Sequence, residues 1–311
     1  MVHGVVLIDK PQGPTSFDVV AEVRRRLSEK RVGHTGTLDP MATGLLPVCV
    51  GEACKLVPFL TDCDKRYEAE VVFGVRTATG DAEGEVVERL DAGSLSAEAV
   101  ARAASTLLGE GLQIPPMYSA IKIDGQRLHK LARAGIEVER EPRKIVVHEL
   151  RVVPIEGPRY KLEIHCGKGT YVRVIAEDLG RMLGVGAHLA MLRRTAVGRF
   201  AIADAVSLAA LTNATPLLAL APAVAHLPHR VLDEPGARRV RSGQERWLLG
   251  LADPPPEGRS ALLNEAGTLI AVIHRTEQKI LFERVFVDNS PSPKANTPDP
   301  KTRLTEAKEA T

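Results

Sequence analysis

Val5 to Ile8 is an unbroken apolar run closed by Asp9 and Lys10, the pattern of a buried strand. Ser16 then precedes Val19, Val20, Val23 and Leu27, whose spacing predicts a helix with one apolar stripe and Ser16 as its cap. Further on the period becomes two. Tyr67, Ala69, Val71, Phe73 and Val75 alternate with Glu68 and Glu70, and Tyr160, Leu162, Ile164 and Cys166 repeat the alternation, so both stretches read as half-buried strands. Two more helices are predicted, from Ser96 to Leu108 before Gly109 and from Val172 to Leu183 before Gly184. Single helices do not regularly separate the strands. The pattern therefore predicts an α+β fold, a mixed sheet with flanking helices, rather than a doubly wound parallel sheet.

After the apolar segment from Leu217 to Ala225 and the break at Pro228, the pattern changes to short strands separated by Gly turns. Residues 1–228 are accordingly expected to form the main domain and 229–287 a small all-β unit. A length of 311 residues suits two domains, and 44% hydrophobic content is ample for packed cores. From Asp288 the chain carries four prolines, mixed charges and one large aliphatic residue, Leu304. Residues 288–311 cannot bury enough apolar area to offset their ordering entropy and are expected to be a disordered tail.

The net charge of +2 hides a polarity along the chain. Residues 121–199 hold sixteen Lys/Arg against nine Asp/Glu, a local excess of seven positive charges that leaves the remainder at −5. Clustered cations are what a phosphate backbone selects, because each contact releases counterions, although a solvated basic face has the same composition. Within this region residues 115–143 begin Pro115-Pro116-Met117-Tyr118 and continue through Lys122, Arg127, Lys130, Arg133, Arg140 and Arg143, which fits an RNA-gripping insertion. In the first 15 residues the apolar run Val5-Val6-Leu7-Ile8 is too short for a signal-peptide core and no 18-residue apolar stretch follows, so a cytoplasmic protein is expected. Cys49, Cys54, Cys63 and Cys166 lack Cys-x-x-Cys spacing, and neither a metal site nor a disulfide is expected in the protein.

The candidate chemistry lies between residues 33 and 51. Asp39 stands in a turn rich in Gly and Thr, five residues after His34, and Pro40 restricts the backbone before it. A rigid carboxylate with no adjacent second acid suits a nucleophile. A turn-forming or capping Asp has the same local look.

Gly33-His34-Thr35-Gly36-Thr37-Leu38-Asp39-Pro40-Met41-Ala42-Thr43-Gly44-Leu45-Leu46-Pro47 resembles the catalytic motif of the bacterial TruB family of tRNA pseudouridine-55 synthases. Further similar segments follow in order: Leu7-Ile8-Asp9-Lys10-Pro11-Gln12-Gly13, Lys65-Arg66-Tyr67, Gly167-Lys168-Gly169-Thr170-Tyr171-Val172-Arg173 and Leu192-Arg193-Arg194. The resemblance spans about residues 4 to 287. It implies a pseudouridine synthase-like fold with a C-terminal PUA-like barrel, and conversion of uridine 55 in the T loop of tRNA to pseudouridine without a cofactor. Asp39 is then the implied nucleophile, attacking uracil C6 or ribose C1′, and Arg173 the implied partner that keeps it ionised. The resemblance also implies that Tyr67 packs on the target base, that His34 fills the space it leaves on flipping, and that Tyr171 and Leu192 line the pocket. Lys10 belongs to the implied substrate-binding set, with structural support of the site as its expected part.

Gly167-Lys168-Gly169-Thr170 lacks the Ser/Thr directly after Lys that a nucleotide-binding loop requires, and no Gly-x-Ser-x-Gly elbow supports a serine hydrolase. Three classes remain: a tRNA uridine isomerase, an RNA-binding or tRNA-folding factor without catalysis, and a nucleoside-bond hydrolase. The joint presence of Asp39, Tyr67 and Arg173 favours the isomerase. Extensions for guide-RNA partners are not apparent, so a stand-alone monomer acting on the T arm is expected.

Overall fold

The structure, a computed structural model, describes residues 3–123 and 125–286. Val287 and the tail at 288–311, expected to be disordered, lie outside the described residues. Ten strands among those described form one mixed sheet. Its continuous path runs Val206–Ser207, Gly4–Lys10, Thr43–Val50, Ala187–Val197, Lys65–Phe73, Arg159–Cys166, Arg143–Pro154 and Gly109–Gln113. Val32–His34 pairs with Thr43–Val50, and Phe200–Ala201 pairs with Ala187–Val197. Gly4–Lys10 is parallel to Val206–Ser207, and Thr43–Val50 is parallel to Ala187–Val197. The expected mixed sheet with flanking helices is present.

The period-two segments form central strands. Tyr160 stands opposite Val71 and Leu162 opposite Ala69, so the apolar positions of both strands share one face. Three helices cover that face through Val19, Val20 and Val23, through Val100 and Ala104, and through Ile175, Ala176 and Leu179. Each large side chain buried there contributes about 1.5–3 kcal/mol.

Element ends differ from expectation in three places. The first helix, Ser16–Arg26, is capped by Thr15, whose hydroxyl accepts from the Asp18 amide at 3.1 Å while the Asp18 carboxylate accepts from the Thr15 amide at 2.9 Å. Ser16 is left free for another role. The Ala-rich helix spans Ala97–Ser105, shorter than its pattern, because Gly109 at φ +88° starts a strand. Gly74 at φ +86° ends the Lys65–Phe73 strand, so Val75 belongs to a separate strand, Val75–Thr77, paired with Val86–Arg89.

The second sheet has the order His229–Leu232, Gly258–Asn264, Leu269–Arg275 and Ile280–Val285. Its first pair is parallel and is bridged by the helix Glu234–Arg241. Among the described residues no pairing joins the two outer strands, so the sheet is open where a closed barrel was expected. Ala261, Leu269, Val272 and Phe286 pack into one apolar cluster with Leu45 and Cys49 of the main sheet and with Leu56 and Phe59 of the helical turns that follow it. Arg259 of the second sheet donates Nη1 to Asp62, at the end of the helix Val57–Thr61, at 2.8 Å and Nε to Glu283 of its own sheet at 2.9 Å.

Gly44 sits where three strands meet. It pairs with Lys10 on one side and Arg194 on the other, at φ +100°, and a Cβ there would lie 2.3 Å from the Arg194 carbonyl oxygen. Gly44→Ala is expected to destabilise the protein by about 2–4 kcal/mol in denaturant titration, from steric conflict plus left-handed strain. An unchanged midpoint would refute this close packing.

Candidate active site

Residues 35–42 have no regular structure, yet they are enclosed between two paired strands. Buried backbone groups outside a ladder need partners. Three buried side chains supply them. Lys10, with no exposed surface, donates Nζ to the carbonyls of Ala42 at 2.6 Å, Pro11 at 3.0 Å and Pro40 at 3.3 Å. Arg194, 1% exposed, donates Nε to Leu45 O at 2.7 Å, Nη2 to Gly36 O at 3.1 Å and Nη1 to Thr37 O at 3.4 Å. Ser16 Oγ donates to Leu38 O at 3.0 Å and accepts from Leu38 N at 2.8 Å. The Gly13 amide adds a bond to Pro40 O at 2.9 Å. Hydrogen bonds from charged donors contribute about 1.5–3 kcal/mol each, so the turn is strongly held on both sides of Asp39.

Arg173 fixes the carboxylate itself. It lies in the first turn of the helix Val172–Met182, 4% exposed, with Nε 3.0 Å from Asp39 Oδ2 and 3.8 Å from Asp81 Oδ2. Its Nη1 donates to Thr79 O at 2.8 Å and its Nη2 to Tyr118 O at 2.7 Å. The guanidinium is thus aimed by two backbone carbonyls before it meets Asp39. Tyr118 belongs to the basic insertion, which roots its inner end on the Asp39–Arg173 pair.

Asp39 and Arg173 open into a cleft of about 500 Å³ lined by Tyr67, Tyr171, Leu192 and Arg194, with Ser119 and Ile121 of the insertion on its rim. The structure brings together five of the expected residues: Asp39, Arg173, Tyr67, Tyr171 and Leu192. His34 stands beside this group, at the end of the short strand Val32–His34, and accepts the Gly36 amide on Nδ1 at 3.3 Å. Lys10 differs from its substrate-binding assignment: it lies beneath the loop, wholly taken up by three carbonyls. Sequence reading missed three positioning residues. Ser16 was taken as a cap, and Arg194 entered only as part of a motif. Gln113, the third, holds Tyr171 through its backbone, accepting its amide at 2.8 Å and donating to its carbonyl at 3.2 Å. In the insertion, Lys122, Arg127, Lys130, Arg133 and Arg143 are exposed and Arg140 is half-buried.

The charges in the site balance unevenly. Although a third of the Asp39 side chain faces the cleft, the atoms packed around it desolvate the carboxyl and raise its pKa. Arg173 and Lys10 oppose the rise and Asp81 adds to it. The pair with Arg173 therefore lowers the pKa as expected, and burial outweighs it. Burial draws Lys10 down to about 8, against the pull of Asp39 and Glu83. Three carbonyl acceptors match the three N–H groups of an ammonium, which keeps Lys10 charged at neutral pH. His34 is lowered by burial and by Arg194, so its ring is neutral there. Burial raises the Tyr67 phenol, which stays protonated.

The fold and this site define a pseudouridine synthase. Chain architecture matches the crystal structure of a Cbf5-Nop10-Gar1 complex with a TM-score of 0.72 at 26% identity, covering 91% of this chain and 85% of that one. The model of the TruB family pseudouridylate synthase N-terminal domain matches residues 24–172, and that of the tRNA pseudouridylate synthase B C-terminal domain matches 173–225. The tRNA pseudouridine synthase B of Dehalococcoides mccartyi (strain CBDB1) is 42% identical over 303 residues, 95% of this chain and 100% of that protein. The tRNA pseudouridine synthase B of Aromatoleum aromaticum is 49% identical over 240 residues, 75% of this chain and 77% of that protein. The chain belongs to the TruB family of pseudouridylate synthases and is an isomerase.

Were Asp39 the nucleophile it would have to be ionised, and activity would then be lost as pH falls through its raised pKa. The acid limb of the single-turnover rate is expected above the value of about 3.9 of a free aspartate. Lys10→Met removes a charge that favours the carboxylate and should move that limb to higher pH. A limb at the ordinary aspartate value, unmoved in the variant, would contradict this electrostatic picture.

Proposed function

We propose that this chain converts uridine 55 in the T loop of tRNA to pseudouridine, with Asp39 as nucleophile and no cofactor. One observation carries the reading. Asp39 is ion-paired at 3.0 Å to a buried Arg173 at the floor of a cleft with room for a flipped nucleoside. Relatives named tRNA pseudouridine synthase B supply the substrate class.

The reaction breaks the C1′–N1 bond and forms C1′–C5; C5 gives up a proton and N1 gains one, so there is no net redox change. Either route, through uracil C6 or ribose C1′, begins with the Asp39 carboxylate and ends with its release. Arg173 orients that carboxylate and disperses its charge. Tyr67 offers a neutral phenol ring to pack on the uracil, with Tyr171 and Leu192 enclosing the base. A neutral His34 at the cleft's edge can fill the stack without bringing a charge into it. Exposed cations of the insertion suit the phosphates of the T arm. The C-terminal sheet serves as a PUA-like RNA-binding unit, and the enzyme works in the cytoplasm as a monomer without guide RNA, with tRNA folding assistance as an accompanying role.

Carbodiimide labelling and primer extension on an unmodified tRNA transcript test the reading. The wild type should mark position 55, and Asp39→Ala should bind the transcript with similar affinity yet leave it unmarked. Free uracil as the product would identify a hydrolase. Binding with no mark from either protein would leave a noncatalytic RNA-binding factor.

A further inference from the structure

Three strands of the main sheet bring Asp64, His148 and His165 together, outside the catalytic cleft. His165 lies near the end of Arg159–Cys166, and Asp64 immediately precedes the neighbouring strand Lys65–Phe73. His148 is on the other flanking strand, Arg143–Pro154, at a bulge where the register with Arg159–Cys166 slips between Val147 and Glu149. Such a bulge re-aims a side chain that regular pleating would send elsewhere. Asp64 Oδ2 lies 3.3 Å from His148 Nε2 and 3.8 Å from His165 Nε2. One ligand atom from each residue lies within 4.8 Å of the other two, and the imidazole centroids are 4.7 Å apart.

We propose that Asp64, His148 and His165 form a binding site for a divalent transition-metal ion of the zinc class. Two imidazoles and one carboxylate are the donor set of three-ligand zinc sites, and they disfavour magnesium and calcium, which take oxygen ligands. Zinc bonds of about 2.0–2.1 Å require tetrahedral ligand atoms about 3.3 Å apart. The Asp64–His148 distance already meets this. His165 must close by about half an ångström toward Asp64, and the two imidazoles, whose ligand atoms lie within 4.8 Å of each other, must close by up to about 1.5 Å, a side-chain rotation for partly exposed groups. Behind His165, its Nδ1 is buried without a hydrogen bond and faces Glu149 Oε1 at 3.5 Å. Arg66 holds Glu149 with two bonds of 2.9 and 3.1 Å. Rotation of the ring toward the metal would let Nδ1–H donate to this carboxylate, the bond that fixes the tautomer presenting Nε2. The remaining coordination positions are open to water.

The position gives the ion a structural part. Asp64 adjoins Lys65, and His165 lies two residues before Gly167, both of which line the catalytic cleft. A metal bridging them braces the strand ends beneath the Gly167–Tyr171 rim.

Calorimetric titration of zinc into chelator-treated full-length chain tests the proposal, with magnesium as the comparison. One zinc per chain is expected, with affinity at least tenfold weaker in His148→Gln, His165→Gln or Asp64→Asn. Magnesium should give no matching isotherm. Zinc should also protect His148 and His165 of the wild type from diethylpyrocarbonate, read by peptide mass spectrometry, which serves even where a variant fails to fold. Absence of zinc uptake, absence of protection, or full-strength binding by a folded His148→Gln/His165→Gln double variant would each overturn the proposal.

Discussion

An irregular turn buried inside a sheet must have its carbonyls satisfied, and in this protein that requirement places the candidate carboxylate, Asp39. Residues 35–42 present a row of acceptors with no neighbouring strand. Lys10, Arg194 and Ser16 answer them from three different elements: the opening strand, the strand Ala187–Val197 and the first helix. Each of these cations and hydroxyls would be costly to bury alone, and each carbonyl would be costly to leave bare. Together they form a cross-linked unit in which Asp39 has little freedom. The arrangement explains why an α+β sheet should break its ladder at this point.

Rigidity at the loop is matched by rigidity at its partner. Arg173 is held by the carbonyls of Thr79 and Tyr118 before it reaches Asp39, so the ion pair joins two preorganised halves. The same guanidinium lies near Asp81, and burial of Asp39 together with the negative charge of Asp81 raises the cost of ionising Asp39. A carboxylate kept charged by a fixed cation in a desolvated cleft is more reactive than one dispersed in water. Through Tyr118 the pair is also tied to the basic insertion, which links the segment suited to RNA with the group suited to chemistry.

Period-two alternation revealed the central strands, because one face is buried and the other carries Glu68 and Glu70. Asp39 was legible for a different reason: a long Gly/Thr turn with a family resemblance. Ser16 was misread because a serine before an apolar stripe matches a cap, while the true cap is one residue earlier. Its actual partner, Leu38, is 22 residues away, beyond any local pattern. Arg194 was equally opaque, since a Leu-Arg-Arg run reads as surface and only the sheet shows that its guanidinium is buried. Asp64, His148 and His165 share no spacing motif; pairing of neighbouring strands and one bulge bring them together. The open C-terminal sheet follows from a parallel pair bridged by a helix, which short strands and Gly turns do not announce.

Ser16→Ala offers the most direct measurement. Ser16 touches Leu38 alone in the loop, lies outside the cleft lining, and its loss leaves the cap at Thr15 intact. The single-turnover rate of pseudouridine formation on saturating tRNA should fall about tenfold or more, roughly the effect of losing the two buried hydrogen bonds that hold the Asp39 loop, with tRNA affinity unchanged. An undiminished rate in a folded Ser16→Ala protein would show that the turn does not depend on its buried partners to position Asp39.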